Sequence, residues 1–454
     1  MLKLLHTELS AEKIESIEAQ VATAHEAGDA KQIGRAVRPL RKRLRHQQAC
    51  ALSLLKMIVQ CQIPIELGLQ LVTEIIAAHR DSLKILGKLG EATQGVRDID
   101  QLNLAAPEEP IFEALVERLA GLAGSGGLSG EDETTVLSGL ATATRMMARQ
   151  HDGLARKTYQ RLVELDPNNS TSHYNYGLFL KTRGLFAEGM AENSVARSMV
   201  ASPVESYEWN YGICATGANE GELALEVWKQ MGNKLEMGRF GLPDGGYPEC
   251  KVRLAERPLA ERGKDNDDPG LEETVWIERL SPCHGVIRSV LYQELGVNFG
   301  DAVLIDGAPI TYHSYGEREI PVFPQLATLR RNNYQIYEFA GMQDAPGSIE
   351  DSSEELSMDA VIYSHTENVQ IVCSSCWRDG TMDHQHDRVE KSIVTGKIAA
   401  PPEMTPKQLL AELDRALEKK PACRVYSPAL CTTAGEESRA LVEARRLEMI
   451  RSSK

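Results

Sequence analysis

Long apolar runs are missing from this 454-residue sequence. No window approaches the roughly 18 apolar residues of a membrane-spanning helix, and the opening residues, MLKLLHTELSAEKIES, lack the apolar stretch of a secretory signal. A disulfide pattern is missing as well, because the nine cysteines are an odd number scattered over a long chain. We therefore expect a cytoplasmic protein with reduced thiols that does not enter a membrane.

Positive charge is also scarce. The chain has 50 Lys and Arg against 65 Asp and Glu, a net charge of −15. Nucleic acids are bound by clustered basic side chains, so this balance argues against a nucleic acid as the main partner. One acid-free run, between residues 31 and 45, is an exception; it contains Lys31, Arg35, Arg38, Arg41, Lys42, Arg43 and Arg45. We interpret it as a solvated helix face, with an acidic protein partner or a nucleic acid as alternatives.

Several enzyme signatures are absent. The stretch GSGG at 124–127 lacks the Lys and the Ser or Thr of a phosphate-binding loop. Neither the H-E-x-x-H pattern of zinc proteases nor the paired motifs of zinc deaminases occur. Cys283 and His284 are adjacent, and adjacent residues of a strand point to opposite sides, which disfavours a nucleophile with its base. The sequence therefore names no reaction.

The chain is too long for a single hydrophobic core, so several structural units are expected. Residues 1–123 predict a helical N-terminal region, because segments such as KIESIEAQVATAHEA place apolar residues three and four positions apart. The glycines of 124–127 interrupt this pattern, and a second helical region is predicted at 131–237.

Residues 155–190, ARKTYQRLVELDPNNSTSHYNYGLFLKTRGLFAEGM, carry a spaced set of small and aromatic residues, and the core YNYG recurs as WNYG at 209–212. This pattern resembles the tetratricopeptide repeat (TPR), a helix-turn-helix unit of about 34 residues. The matching positions are Ala155, Tyr159, Pro167, Asn175, Gly177, Gly184, Asn210, Gly212 and Ala224. His173 and Asn193 depart from the pattern, where the family prefers aromatic residues. We expect three repeats, at 136–169, 170–204 and 205–235.

The resemblance implies a groove for a protein or peptide partner. In the family, four positions of each first helix line the concave surface, and two of them here, Tyr174 and Trp209, would be aromatic anchors. The positions that match are Thr171, Tyr174, Leu178, Lys181, Ser206, Trp209, Ile213 and Thr216. The alternative is that the protein's own N-terminal helices or C-terminal domain fill the groove.

A composition change follows Met237. GRFGLPDGGYPEC and RGKDNDDPG are rich in turn-forming residues, and short runs such as ETVWIERL and NVQIVC then predict a β-rich domain at 272–400, with a hairpin turn at Asp306-Gly307. Thr405-Pro406 is a helix start signal, and 401–454 predict C-terminal helices. The expected fold is α+β and multidomain: an all-α TPR-like solenoid, a β-rich domain that binds zinc, and a C-terminal helical segment.

The segment CSSCWRDGTMDHQH, residues 373–386, predicts a metal site. Two thiolates and two imidazoles are the tetrahedral ligands that Zn²⁺ prefers, and Cys373, Cys376, His384 and His386 supply them. Four ligands close the coordination shell, so we interpret the zinc as structural rather than catalytic. Reduced thiols with solvent-facing histidines and a redox pair are alternatives. Other possible ligands are Cys283, His284, His313 and His365.

HQHD at residues 384–387 superficially resembles the H-x-H-x-D-H motif of metallo-β-lactamase-like hydrolases. Arg388 and Val389 stand where that family needs Asp and His, so the motif is not met. The sequence favours an interaction protein, an adaptor, chaperone or specific binding partner, that uses a TPR scaffold. The alternative is a metal-dependent hydrolase whose repeats recruit a protein substrate.

Overall fold

The computed structural model divides the chain into two compact units. The first comprises the residues up to Ala218 together with Leu259–Pro269, and the second comprises Asn219–Pro258 and the residues from Gly270 onward. The structure describes residues 8–96, 109–128, 130–147, 149–316, 318–343, 345–372 and 389–452. A helical region is followed by a β-rich region that also carries helices, as predicted.

The first unit is helical. Its helices within the described residues are α1 (Ala11–Glu26), α2 (Ala30–Ala36), α3 (Arg38–Arg41), α4 (Gln48–Val59), α5 (Ile65–Ala78), α6 (Leu83–Ala92), α7 (Glu109–Gly124), α8 (Glu131–Met146), α9 (Asp152–Leu165), α10 (Ser170–Thr182), α11 (Phe186–Ser198) and α12 (Glu205–Gly217). The side chain of Ser10 caps α1 by accepting a hydrogen bond from the Lys13 amide, and Asn169 caps α10 in the same way. Apolar faces of the helices from α1 to α8 meet in one buried core.

Small residues allow close helix crossings in this unit. A Cβ placed on Gly90 of α6 would lie 2.3 Å from the carbonyl oxygen of Gly139 in α8, so the two backbones touch. Gly177 of α10 is crowded too, because an added Cβ would lie 2.3 Å from Nδ2 of Asn193 in α11. That amide donates to the Gly189 carbonyl at 2.7 Å. Asn193 therefore replaces the expected aromatic residue with a hydrogen bond at the crossing.

The α10–α11 pair has the predicted helix-turn-helix form. Helix α10 begins at Ser170, and Gly184 in the turn has a φ of +72°, which favours glycine. His173 is buried, with Nδ1 2.7 Å from a Glu192 carboxylate oxygen and Nε2 3.1 Å from the Pro167 carbonyl oxygen. It thus joins both helices and the preceding loop through polar contacts, where the family uses tryptophan packing.

The second unit is built mainly from strands. Its elements within the described residues are α13 (Gly221–Gln230), β1 (Glu236–Met237), β2 (Pro243–Asp244), β3 (Cys250–Ala255), β4 (Glu272–Ser281), β5 (His284–Ile287), β6 (Ala302–Ile305), β7 (Thr311–Tyr315), β8 (Arg318–Arg330), β9 (Gln335–Gln343), β10 (Val361–Val372), β11 (Val389–Ala400), α14 (Pro406–Glu418), β12 (Arg424–Tyr426), α15 (Pro428–Thr433) and α16 (Glu437–Ser452). A short two-stranded sheet, β1-β2, precedes two larger sheets.

The first large sheet closes into a barrel. Its order is β3-β4-β5-β6-β8-β7, and β3 also pairs parallel with β8 through Val252↔Phe323. Val252, Ile277, Ile287 and Val303 belong to the buried core of this sheet. The sheet begins earlier than predicted, because β3 starts at Cys250, inside the stretch that the Gly and Pro residues marked as a boundary.

The predicted hairpin at Asp306-Gly307 is wrong. Strands β6 and β7, which flank these residues, both pair antiparallel with β8 and not with each other. The long strand β8 spans thirteen residues, so it supplies partners for both shorter strands in succession.

The second large sheet has the order β10-β11-β9-β12 and carries the C-terminal helices. Strands β10 and β11 form a long antiparallel pair from Val361↔Ala399 to Val372↔Val389. Leu409 and Leu413 of α14 share a buried core with strand residues of this sheet. The helix α14 begins as predicted, because the side chain of Thr405 caps it in a reciprocal capping box.

Candidate functional site

Two adjoining cavities follow the first helices of the repeat-like pairs, α8 and α10. The larger one, the apolar groove, has a volume of about 740 Å³. Its apolar lining includes Val59, Ile65 and Leu178, which are half-buried or exposed, and Ile33, Ile63 and Met146, which are buried and present little surface to the cavity. Its surface is open to solvent at Ile65, whose side chain is 45% exposed, which is unusual for a large apolar residue.

The second cavity, the polar cavity, has a volume of about 450 Å³. Its polar lining includes Lys88, Glu91, Gln94, Thr134, Ser138, Thr142, Asn169, Thr171, Ser172 and Asn175. Lys88 and Glu91 form an ion pair with each other, so the remaining lining offers mainly neutral hydroxyl and amide groups. Such groups donate and accept hydrogen bonds without a strong preference for a charged ligand.

Helix periodicity places these side chains on one surface. Thr134, Ser138 and Thr142 recur every four residues along α8, and Thr171 and Asn175 do so along α10. The same faces continue into the apolar groove through Met146 and Leu178. One surface of the two helices is thus polar at one end and apolar at the other.

A buried arginine marks the junction of the two cavities. Arg145 donates a hydrogen bond from Nη2 to Oε1 of Gln94 at 3.2 Å, and Gln94 lines both cavities. The pKa of Tyr159 is raised by burial, and the nearby Arg145 guanidinium offsets only part of that rise. Tyr159 stacks against Tyr176 and Phe179 at centroid distances of 5.6 and 5.4 Å. Tyr159 also lines the polar cavity, so this stacking fixes the position of one lining side chain.

Five of the eight predicted partner-binding residues are at least partly exposed. Thr171 lines the polar cavity and Leu178 lines the apolar groove. Tyr174 and Trp209 are half-buried and Ser206 is exposed. The Tyr174 ring stacks on another ring of the same unit, so its surface is already partly occupied.

Lys181, Ile213 and Thr216 are buried, which is a correction to the predicted groove. Ile213 is 1% exposed and Lys181 is 3% exposed, so neither offers a surface to a partner. Thr216 donates its hydroxyl proton to the Gly212 carbonyl at 2.8 Å within its own helix. The family positions assume an open array, whereas this chain packs its own residues around α12 and the end of α10.

The segment Leu259–Pro269 belongs to the helical unit and is part of that packing. The backbone amide of Arg149 donates to Asp267 at 2.7 Å, and its guanidinium donates to the carbonyls of Thr182 and Leu259. Burial lowers the pKa of Arg149 to about 10, so its side chain stays charged at neutral pH. Sequence reasoning missed this contact, because the two partners lie 118 residues apart.

The predicted zinc ligands Cys373, Cys376, His384 and His386 lie outside the described residues. Elsewhere, no group of three His, Cys, Asp or Glu side chains in the described ranges could hold a metal ion.

The other possible ligands are engaged differently. Cys283 and His284 are fully buried, and His284 Nδ1 lies 2.5 Å from Ser281 Oγ. His365 is on β10, and its Nε2 lies 2.7 Å from the carbonyl oxygen of Val290, which lies between β5 and β6. His313 is on β7. These four residues therefore do not form a metal site with one another.

The helical segment with pairs α8–α9 and α10–α11 is TPR-like. Among the described helices, none is long and apolar enough to span a membrane. No family model and no curated protein matches the chain. Solved structures that match include YrrB, described as "a TPR protein with an unusual peptide-binding site", at 14% identity over 37% of this chain and 75% of YrrB, with a TM-score of 0.25.

PilF of Pseudomonas aeruginosa matches at 13% identity over 48% of this chain and 90% of its own, with a TM-score of 0.30. A tetratricopeptide repeat protein from Parabacteroides merdae matches at 12% identity, over 48% of this chain and 92% of its own, with a TM-score of 0.22. Scores this low carry no argument about partner or activity.

Proposed function

We propose that this chain is a protein interaction scaffold that holds an extended segment of another protein along α8 and α10. The observation that carries the proposal is the continuity of the apolar groove with the polar cavity. Exposed peptide backbone needs hydrogen-bond partners, which the hydroxyl and amide side chains supply, while apolar side chains of the segment gain burial in the groove. Recognition of this kind needs no catalytic group.

The test is selection of binding peptides from a random displayed library, followed by affinity measurement with variants. Ile65→Arg places a charge in the apolar groove, and Thr171→Arg places a bulky side chain in the polar cavity; both positions are exposed, so the fold should persist. Val195→Arg on α11 is the matched control, since Val195 is 37% exposed and lines neither cavity. We expect roughly tenfold or greater loss for the two cavity variants and little change for the control. Failure to select any peptide, or equal binding by all variants, would contradict the proposal.

We also propose that residues 373–386 hold a structural zinc ion through Cys373, Cys376, His384 and His386. The support is the donor set itself, together with the strand pairing that precedes and follows the segment. Val372 and Val389 are paired, so the chain enters and leaves the segment at one end of a regular ladder. A zinc ion bound here would link the chain leaving β10 to the chain entering β11. Structural zinc ions link chain segments in this way in small domains.

Native mass spectrometry before and after chelation tests the zinc proposal. We expect about one zinc ion per chain, lost when Cys373 and Cys376 are both replaced by Ser. Cys61→Ser is the matched control, because Cys61 is an exposed free cysteine far from this segment in sequence. Zinc retained by the double variant would exclude the site. Nothing in the described residues favours the metal-dependent hydrolase.

The cytoplasm is the compartment that we propose. The seven cysteines among the described residues are all free, which suits a reducing environment. Labelling of Cys61 with a thiol reagent in intact cells, without prior reduction, would support this location. A disulfide-blocked Cys61 would argue against it.

A further inference from the structure

One face of the α2–α3 segment carries basic side chains that the proposed groove does not use. Lys31, Arg35, Arg38 and Lys42 are all exposed and follow at intervals of four, three and four residues. Val37, between the two helices, keeps right-handed helical dihedrals, so the helical path continues from α2 into α3. These four residues therefore share one side of the path, and we call them the basic stripe.

The opposite side of the same path is anchored in the protein. Ile33, Val37, Leu40 and Leu44 follow at the same intervals and are no more than 3% exposed, all within the main core of the helical unit. Because this apolar side is fixed, the basic stripe faces solvent on a rigid support. Ordered charges lose less conformational freedom on binding than charges on a mobile tail.

The charge of the stripe is not neutralised by the helical unit. Residues 30–65 contain eight Lys and Arg and no Asp or Glu. Acids beside this segment are engaged elsewhere: Asp29 caps α2 by accepting a hydrogen bond from the Gln32 amide, Glu74 is paired with Arg41, and Glu18 is paired with Lys56. No stripe residue forms an ion pair with another residue in the part of the chain that the structure describes.

We propose that the basic stripe binds an acidic segment of a partner protein whose carboxylates have helical spacing. Neighbouring stripe positions lie about 5–6 Å apart, which is also the spacing of Glu side chains three or four residues apart on a facing helix. Arg35 and Arg38 can each hold a carboxylate through two parallel hydrogen bonds. This inference does not depend on the groove.

The size of the stripe and the charge of the remaining chain decide between a protein and a nucleic acid. The stripe is about 16 Å long, because eleven residue steps of about 1.5 Å each separate Lys31 from Lys42. Outside residues 30–65, the chain has 42 Lys and Arg against 65 Asp and Glu, a net charge of −23. A nucleic acid longer than the stripe would gain little attraction from a chain whose remaining net charge is negative, whereas a short acidic segment ends where the stripe ends.

Fluorescence anisotropy with the full chain tests the proposal. The probe is a labelled alanine-based helical peptide with Glu at the stripe's intervals, compared with a Gln version and with a single-stranded and a double-stranded DNA. One variant changes Lys31, Arg35, Arg38 and Lys42 to Glu. The matched control changes four scattered exposed lysines to Glu and alters the net charge equally; these are Lys157, Lys229, Lys234 and Lys407.

We expect the Glu peptide to bind, with affinity that falls as salt rises, and the Gln peptide to bind at least about tenfold more weakly. The stripe variant should lose about tenfold or more in affinity for the Glu peptide, while the control stays within about twofold. Absence of Glu-peptide binding, or equal loss in the control, would overturn the proposal. Tighter binding of either DNA than of the Glu peptide would replace the acidic protein segment with a nucleic acid.

Discussion

His284 should govern how the stability of the second unit changes with pH. Its side chain is fully buried in the barrel at the start of β5, and Nδ1 lies 2.5 Å from Ser281 Oγ. Nε2 has no hydrogen-bond partner among the described residues. Burial lowers the pKa of His284 to about 4, because a charged imidazolium is poorly solvated at this position.

The sign of the effect follows from the lowered pKa. An unfolded histidine has a pKa of about 6.5, so between about pH 6.5 and pH 4 the unfolded chain takes up a proton that the folded barrel does not. Above that pH range neutral His284 makes its full contribution to the free energy of unfolding. That contribution falls as the pH is lowered through the range. The loss is about 2.5 kcal/mol near pH 4.5 and levels off at about 3 kcal/mol below the folded pKa.

Urea unfolding of wild type and His284→Asn, followed by far-UV circular dichroism of the sheet signal, measures this contribution. Asparagine keeps a polar atom near Ser281 but does not titrate, so other groups cancel in the difference between the two proteins. That difference should change by about 2.5 kcal/mol between about pH 7.5 and pH 4.5. His313→Asn on β7 is the control and should keep the wild-type dependence. Parallel pH profiles for wild type and His284→Asn would refute the reasoning.

Three further substitutions test packing and capping. Gly90→Ala should destabilise the helical unit by about 1–3 kcal/mol through its clash with the facing backbone, while Gly121→Ala, which meets open space, should not lower the thermal midpoint. Asp267→Ala should cost about 1–3 kcal/mol in urea unfolding, because it removes the nearer of the two carboxylates paired with the buried Arg149 guanidinium and leaves only Asp152 at 3.8 Å; a loss no larger than that of exposed Asp265→Ala would contradict this. Thr405→Ala should cost about 1 kcal/mol, and Thr405→Ser should restore it.

The features that sequence predicted well are those set by nearby residues. The start of α10 at Ser170 and of α14 at Pro406 depends on caps one residue away, and the glycine turn at Gly184 depends on one dihedral angle. The features that it missed depend on residues far apart in the chain. Barrel closure needs β3 to meet β8 about seventy residues later, and the buried Lys181 needs the chain to fold back upon α10.

The residues of the candidate site also divide into those that the sequence predicted and those that it missed. Thr171 and Leu178 were predicted from repeat positions, whereas Thr134, Ser138 and Thr142 of α8 were not, although their four-residue spacing was visible in the sequence. Spacing alone identifies a shared helix face but not whether that face is buried, since the neighbours that cover it come from elsewhere in the chain.

The two proposed binding surfaces can be separated by salt, because they rest on different forces. In the polar cavity, Lys88 and Glu91 neutralise each other, and the apolar groove binds through burial of apolar surface. Salt should therefore change peptide affinity there only slightly. The basic stripe attracts its ligand by exposed charge, which ions screen beyond about 8 Å at physiological strength. A partner that binds equally well at low and high salt, but does not bind the Ile65→Arg variant, occupies the groove. A partner whose binding weakens as salt rises, but which still binds the Ile65→Arg variant, occupies the stripe.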